Sequence, residues 1–385
     1  MIRTFVYCFA FTVCTICPAW SSPFDIVDFS SEISAQIYQP DPAEVHEQKA
    51  FPTLYIMDGQ HFIYSAIGYQ QSLNWRNPTS PKFIVVAIDT SKIGDGSAKR
   101  RNLLNADSKT LINVIEEEII PYVESHYPAS DMRLFAGWEN TGGFAIDLLT
   151  TSPNLFESFL FASSPNISAE RLKNVENLIV QSVKNKTALN KQLYIALGTQ
   201  ENYAVDAFNQ LNLLGENHPS QLDVQYLLSS ELNHFTTPMN LFTQGLAWVF
   251  RDYPAVNFYS VDDIFSFGGI PAVQAYFAQR GERYYVSKSV AENTVFTMAR
   301  HAAQADNLGL FLEIEQTLGK LNQETFQPYW THFFVSFLIK NKQWQRAEEI
   351  LYSVMARYPQ VPQLIELDIQ LKQQKAKLSK TSGKE

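Results

Sequence analysis

The chain has 385 residues, more than one average domain uses and enough for a large domain with a smaller one beside it. Hydrophobic residues make up 45% and charged residues 18%, which excludes intrinsic disorder. The formal net charge of −9 leaves no basic footprint, so neither nucleic acid nor an anionic membrane surface is an expected partner.

The chain opens on a segment that reads as targeting. Arg3 is the only charge in residues 1–21, an apolar run covers 5–16, and Ala19-Trp20-Ser21 places small residues where a signal peptidase reads. The run is about half the roughly 20 residues of a spanning helix. The expectation is a signal peptide over 1–21 and a periplasmic or secreted protein without a membrane span. All three cysteines, Cys8, Cys14 and Cys17, lie inside this segment. The mature chain then has no disulfide, zinc–thiolate site or cysteine nucleophile.

From 30 to 252, short apolar runs alternate with helical patterns. Candidate strands are 34–38, 53–57, 83–88, 134–136, 159–162, 193–197 and 224–228. Several are continuous apolar runs, as in strands buried on both faces of a mostly parallel sheet. An amphipathic helix starts near Asp107-Ser108, with Leu111, Ile112, Val114, Ile115, Ile119 and Ile120 as its stripe. This alternation predicts an α/β fold with crossover connections. After about 255 the strand signals stop, and 255–375 reads as helical before a polar tail, 376–385. Within it, 329–359 carries Phe337, Leu338, Trp344, Ala347, Leu351, Ala356 and Pro359 and resembles one tetratricopeptide helix pair. A lone pair cannot stand by itself, so it should pack on neighbouring helices or on the preceding domain.

The stretch Arg133-Leu-Phe-Ala-Gly-Trp-Glu-Asn-Thr-Gly-Gly-Phe-Ala-Ile is a strand, a tight turn and a helix start. That is the form of the nucleophile elbow, G-x-S-x-G, of α/β-hydrolases. Ala136-Gly137-Trp138-Glu139-Asn140-Thr141-Gly142-Gly143-Phe144-Ala145-Ile146 aligns without a gap to the A-G-H-S-x-G-G-x-F-A-L of the Putative esterase family, which includes esterase D-like and enterochelin esterase-like proteins. Pro52-Thr-Leu-Tyr-Ile-Met-Asp58-Gly59 is similar to its P-V-L-Y-L-L-D-G, 116–128 to its E-E-L-I-P-Y-I-x-x-x-Y-P, and 152–156 to its x-P-x-L-F. The resemblance covers roughly 30–252. It implies the α/β-hydrolase fold, a mostly parallel sheet with helices on both faces, and hydrolysis of a carboxylic ester or related acyl substrate.

The departure is central: Glu139 stands where the family keeps its serine, and Thr141 where it keeps a glycine two positions later. A carboxylate is a poor nucleophile toward an ester carbonyl, since its attack leaves a mixed anhydride. Aspartate serves on this fold against saturated carbon, but glutamate is one methylene longer, and a misplacement of about 1 Å can cost about 100-fold.

The resemblance places the remaining triad members in the order acid, then histidine. His234, in Glu231-Leu-Asn-His234 after the last strand, is the histidine by position. Glu201, after strand 193–197, is the acid, with Asn202 and Asp206 as competitors. The backbone N–H of Asn140 and those of Gly59 and Gln60 map to the oxyanion hole. An elbow predicts strained backbone at Glu139 and a carboxylate within about 4 Å of a His234 nitrogen.

Ser163 and Ser164 end a strand and read as structural, and His61 and His126 lack ligand partners at metal spacing. No H-E-x-x-H, C-x-x-C or dinucleotide loop occurs, so no metal and no organic cofactor is implied. Two functions are expected: an exported esterase with weak or altered activity, or a catalytically inactive hydrolase-fold binding protein. The ligand would be a small ester, siderophore, glycan or peptide, and the C-terminal helices could add a protein contact.

Overall fold

The computed structural model describes residues 23–41, 48–75, 78–94 and 96–382. The targeting segment and its three cysteines lie outside the described residues. Eight strands form one sheet: β1 (Asp25–Asp28), β2 (Ser34–Tyr38), β3 (Phe51–Met57), β4 (Ile84–Asp89), β5 (Ala129–Trp138), β6 (Ser158–Ala162), β7 (Lys191–Gly198) and β8 (Leu222–Ser229). Their order is β1-β2-β4-β3-β5-β6-β7-β8. β2 runs antiparallel to both β1 and β4, and every other pair is parallel.

The strand residues explain the layering. β3 and β6 are buried along their whole length, so neither shows polar alternation. Successive side chains still point to opposite faces. Tyr55 and Met57 pack under the helices Ser108–Val114, Asn140–Thr151, Ala169–Asn185 and Val205–Asn217, while Leu54 and Ile56 pack under Ile63–Leu73 and Leu246–Val249. The seven expected strands are β2 to β8. β1 was not foreseen, because it is an exposed edge whose only apolar residues are Ile26 and Val27. β5 starts five residues before its expected span, in a polar half held by pairing to β3.

The amphipathic stripe from Ser108 is likewise not one regular helix. It runs as Ser108–Val114, a π-helical turn Ile115–Ile119, and Ile120–His126. Pro121 lacks the N–H that a regular ladder requires, and the wide turn runs directly into the segment that holds it.

Beyond β8 the chain is helical. Gly269–Tyr284, Glu292–Gln304, Leu308–Leu318, Pro328–Lys340, Trp344–Met355 and Pro362–Ser382 share a separate core around Phe277, Met298, Phe311, Phe334, Leu351 and Leu367. Residues 329–359 form the helix pair Pro328–Lys340 and Trp344–Met355. This region docks on the sheet through Tyr284, which is fully buried among sheet-domain residues, and through Lys49 N–H donating to Tyr285 O at 3.0 Å. Arg283 pairs with Glu157, just before β6. The dock is therefore at the N-terminal edge of the parallel strands. Among the described residues, no helix is long and apolar enough to cross a membrane.

Candidate active site

The opposite, C-terminal edge of the sheet gathers the residues singled out above. β5 ends at Trp138, and Glu139 turns the chain into the helix Asn140–Thr151 with φ 57° and ψ −127°. That conformation is strained for a residue with a Cβ, at about 1–3 kcal/mol, and persists only where its surroundings impose it. Here Glu139 N–H donates to Ala162 O of β6 at 3.1 Å, and Gly142 N–H donates to Glu139 O at 3.1 Å. The helix enters so close to the sheet that a Cβ on Gly142 would lie 1.7 Å from Ser164 Oγ.

Thr141, in place of the family's glycine, is fully buried and braces the turn. Its Oγ1 accepts from Trp138 N–H and donates to Trp138 O at 2.7 Å. It occupies the space that a Cβ on Gly137 would need, 2.4 Å away. The threonine thus completes the elbow instead of crowding it.

His234 lies in the loop after β8, and its Nδ1 is 2.9 Å from Oε1 of Glu201, which follows β7. Neither Asn202 nor the exposed Asp206 takes that place. Glu201 is almost fully buried. It accepts from Ser163 Oγ at 2.7 Å, Gly198 N–H at 3.0 Å and Tyr203 Oη at 2.6 Å. Burial alone would push its carboxyl up, but these donors and His234 outweigh it and hold it below the usual range. The Tyr203 hydroxyl is pushed up, first by burial and then by its bond to Glu201. His234 is fixed from above as well. Trp138 Nε1 donates to His234 O at 2.8 Å, and the two rings stand 4.8 Å apart.

Glu139 and His234 meet at this edge, but they form no ion pair among the described residues. The Glu139 carboxylate has Asn140 Nδ2 at 3.5 Å. The expected approach fails for a covalent reason: a serine Oγ is bonded to Cβ, whereas a glutamate carboxylate oxygen is three bonds out. Correct elbow backbone does not put those oxygens in a nucleophile's place.

The expected oxyanion donors are adjacent. Asn140 opens its helix, so its N–H has no intrahelical acceptor. β3 and β5 pair side by side, which brings the turn after Met57 next to the elbow. Asp58 takes a left-handed conformation, φ 53°, and leads into the single turn Gly59–His61. Glycine is required at 59, where a Cβ would lie 2.4 Å from Ala87 Cα. Asp58 is held by Thr90 at 2.8 Å and by Arg100. Both side-chain amide atoms of Gln60 are buried without a hydrogen-bond partner in the structure.

The model of the Putative esterase family matches residues 27–236, more than half of the chain. The chain belongs to this family. Three solved structures share the fold of this putative esterase. An IroE-like serine hydrolase from Shewanella oneidensis is 16% identical with a TM-score of 0.54, covering 76% of this chain and 98% of its own. The BES protein from Bacillus cereus is 19% identical with a TM-score of 0.51, covering 60% and 96%. An uncharacterised protein from Capnocytophaga ochracea is 13% identical with a TM-score of 0.60, covering 86% and 92%. No curated protein sequence matches this esterase-family chain.

Sequence reasoning missed the shell around Glu201. Ser163 and Thr237 are 2.6 Å apart through their hydroxyls, and Ser163 carries the strand-end position that had read as merely structural. Tyr203 and Trp138 were also passed over. The contacts of Ser163 with Glu201 and Thr237, and of Trp138 with His234, join segments tens of residues apart, and no spacing rule connects them. Two clefts of about 670 and 550 Å³ lie elsewhere, around Asp131, Glu157 and Arg283 at the N-terminal edge.

Proposed function

We propose that the chain is an exported esterase-type hydrolase acting on a carboxylic ester or related acyl substrate, with turnover held low by Glu139. The carrying observation is the 2.9 Å contact between His234 Nδ1 and the buried Glu201 carboxylate beside a strained elbow. Glu201 orients the imidazole and stabilises its charged form, leaving Nε2 to act as general base. Without a serine, the base takes a proton from water, and the oxygen of that water bonds to the ester carbonyl carbon. The carbonyl oxygen becomes an oxyanion that accepts from the N–H of Asn140 and from Gly59 or Gln60. On collapse the C–O bond to the alcohol breaks, and the imidazolium returns the proton to it. Export is supported by the segment over 1–21.

The test is Glu139→Ser. Restoring a hydroxyl at the elbow should raise turnover of p-nitrophenyl acetate by about 100-fold or more, since a missing triad nucleophile leaves only residual catalysis. The variant should also become labelled by a fluorophosphonate while the unaltered chain stays unlabelled. If the variant folds and remains inert and unlabelled, the hydrolase reading is wrong. The second reading, a catalytically inactive binding protein, is then favoured by Glu139 itself, which puts a negative charge where acyl-transfer chemistry develops one.

A further inference from the structure

We propose that Tyr203 is a positioning residue of this site: its hydroxyl bridges Glu201 and His234 and fixes the imidazole with its proton on Nδ1 and its bare lone pair on Nε2. The proposal deepens the hydrolase reading and rests on it for the effect on turnover. The place of the proton, however, is an equilibrium property that holds whether or not the site turns over.

A tight turn brings Tyr203 to the pair. After β7, Glu201 N–H donates to Gly198 O at 3.0 Å and Ala204 N–H donates to Glu201 O at 3.0 Å. The carboxylate of Glu201 is then filled in order. Oε2 accepts from Ser163 Oγ at 2.7 Å and from Gly198 N–H at 3.0 Å. Oε1 faces Tyr203 Oη at 2.6 Å and His234 Nδ1 at 2.9 Å. Tyr203 Oη also lies 3.3 Å from that same Nδ1, so Oε1, Oη and Nδ1 close a triangle.

The protons of the triangle follow from what each atom can do. Glu201 is held ionised by its donors and only accepts, so the single tyrosine proton goes to Oε1. Oη is left with only lone pairs to offer Nδ1. A bare Nδ1 would face lone pairs on two oxygens, whereas an Nδ1–H is met by two acceptors. The tyrosine keeps its proton, because burial first and the bond to Glu201 second push its titration up. A role in the core is small: Tyr203 is 58% exposed, so its ring buries little. Without the hydroxyl, water takes its place on Oε1, and the imidazole has one fixed acceptor in place of two.

The experiment is nitrogen NMR of chains isotope-labelled in histidine, of which the sequence has 7. The His234 signals are assigned by their loss in His234→Gln. Above the imidazole titration, His234 of the unaltered chain should carry its proton on Nδ1, and that proton should exchange slowly with water. Tyr203→Phe keeps the ring and removes the hydroxyl, and should speed the exchange about 10-fold or more. Tyr203→Ala should add little to this, since the hydroxyl and not the ring is the positioning group. In the Glu139→Ser chain, Tyr203→Phe should lower kcat for p-nitrophenyl acetate about 10-fold with KM unchanged. The proposal is overturned if the unaltered chain holds the proton on Nε2, if Tyr203→Phe leaves the exchange unchanged, or if an active Glu139→Ser chain keeps its kcat on Tyr203→Phe. An inert Glu139→Ser chain sinks the hydrolase reading alone, and the exchange rates still decide this one.

Discussion

At the scale of single residues, the contrast is between Glu139, visible at once as a break in a motif, and Glu201, whose environment could not be read. Position after β7 suggested Glu201, but Asn202 and Asp206 fitted the same segment. Only the fold shows four donors converging on the Glu201 carboxylate, from Ser163, Gly198, Tyr203 and His234. They have a consequence for acid stability. The folded-state carboxyl titrates below its unfolded value, so its contribution is fully present above the unfolded value, about pH 4.3, and is lost as pH falls through the folded one. The stability difference between the unaltered chain and Glu201→Gln should therefore be largest above the unfolded value and shrink as the pH falls below it. Chemical denaturation across that range measures it. A difference that stays constant with pH would show that Glu201 titrates alike in the folded and unfolded chain.

At the scale of elements, the sheet was legible because burial on both faces writes itself as unbroken apolar runs. β3, β4, β6 and β7 were all visible this way. What escaped were elements made by pairing instead of apolarity: edge strand β1, the polar half of β5, and the π-turn before Pro121. The elbow lies between these cases. Its strand and helix start were plain, yet Thr141 looked like a misfit, since the brace it provides is a contact with Trp138 three residues back. Replacing it by glycine deletes both bonds, at about 0.5–1.5 kcal/mol each, and loosens the backbone by about 0.5–1 kcal/mol. Thr141→Gly should lower unfolding free energy by about 1.5–4 kcal/mol in denaturant titration. A stabilising effect would mean that threonine does crowd the turn. By the same logic, Glu139→Ser with Thr141 retained is the cleaner restoration of a nucleophile.

At the scale of the whole molecule, the helical region and the candidate site occupy opposite edges of one sheet. The sequence showed where strands end and helices begin, but nothing in the helical pattern marked Tyr284 as an anchor. It closes its helix as any amphipathic tyrosine would. Its partners, Phe250 at 6.0 Å and Tyr253 at 5.2 Å between ring centroids, belong to the end of the sheet domain, and its hydroxyl donates to Asp252. Beside it, Arg283 joins Glu157 and lies 3.6 Å from Asp252. Large aromatic truncations in a packed core cost about 3–5 kcal/mol, whereas losing one hydroxyl bond costs about 1 kcal/mol. Tyr284→Ala should therefore destabilise the protein several times more than Tyr284→Phe. Because the dock lies across the sheet from His234, neither change, made in the Glu139→Ser background, should alter p-nitrophenyl acetate turnover by the chain that remains folded. Thermal unfolding, with turnover measured below the transition, separates the two effects. If Tyr284→Ala and Tyr284→Phe unfold together, the helical region is held by its polar contacts, and the ring is incidental.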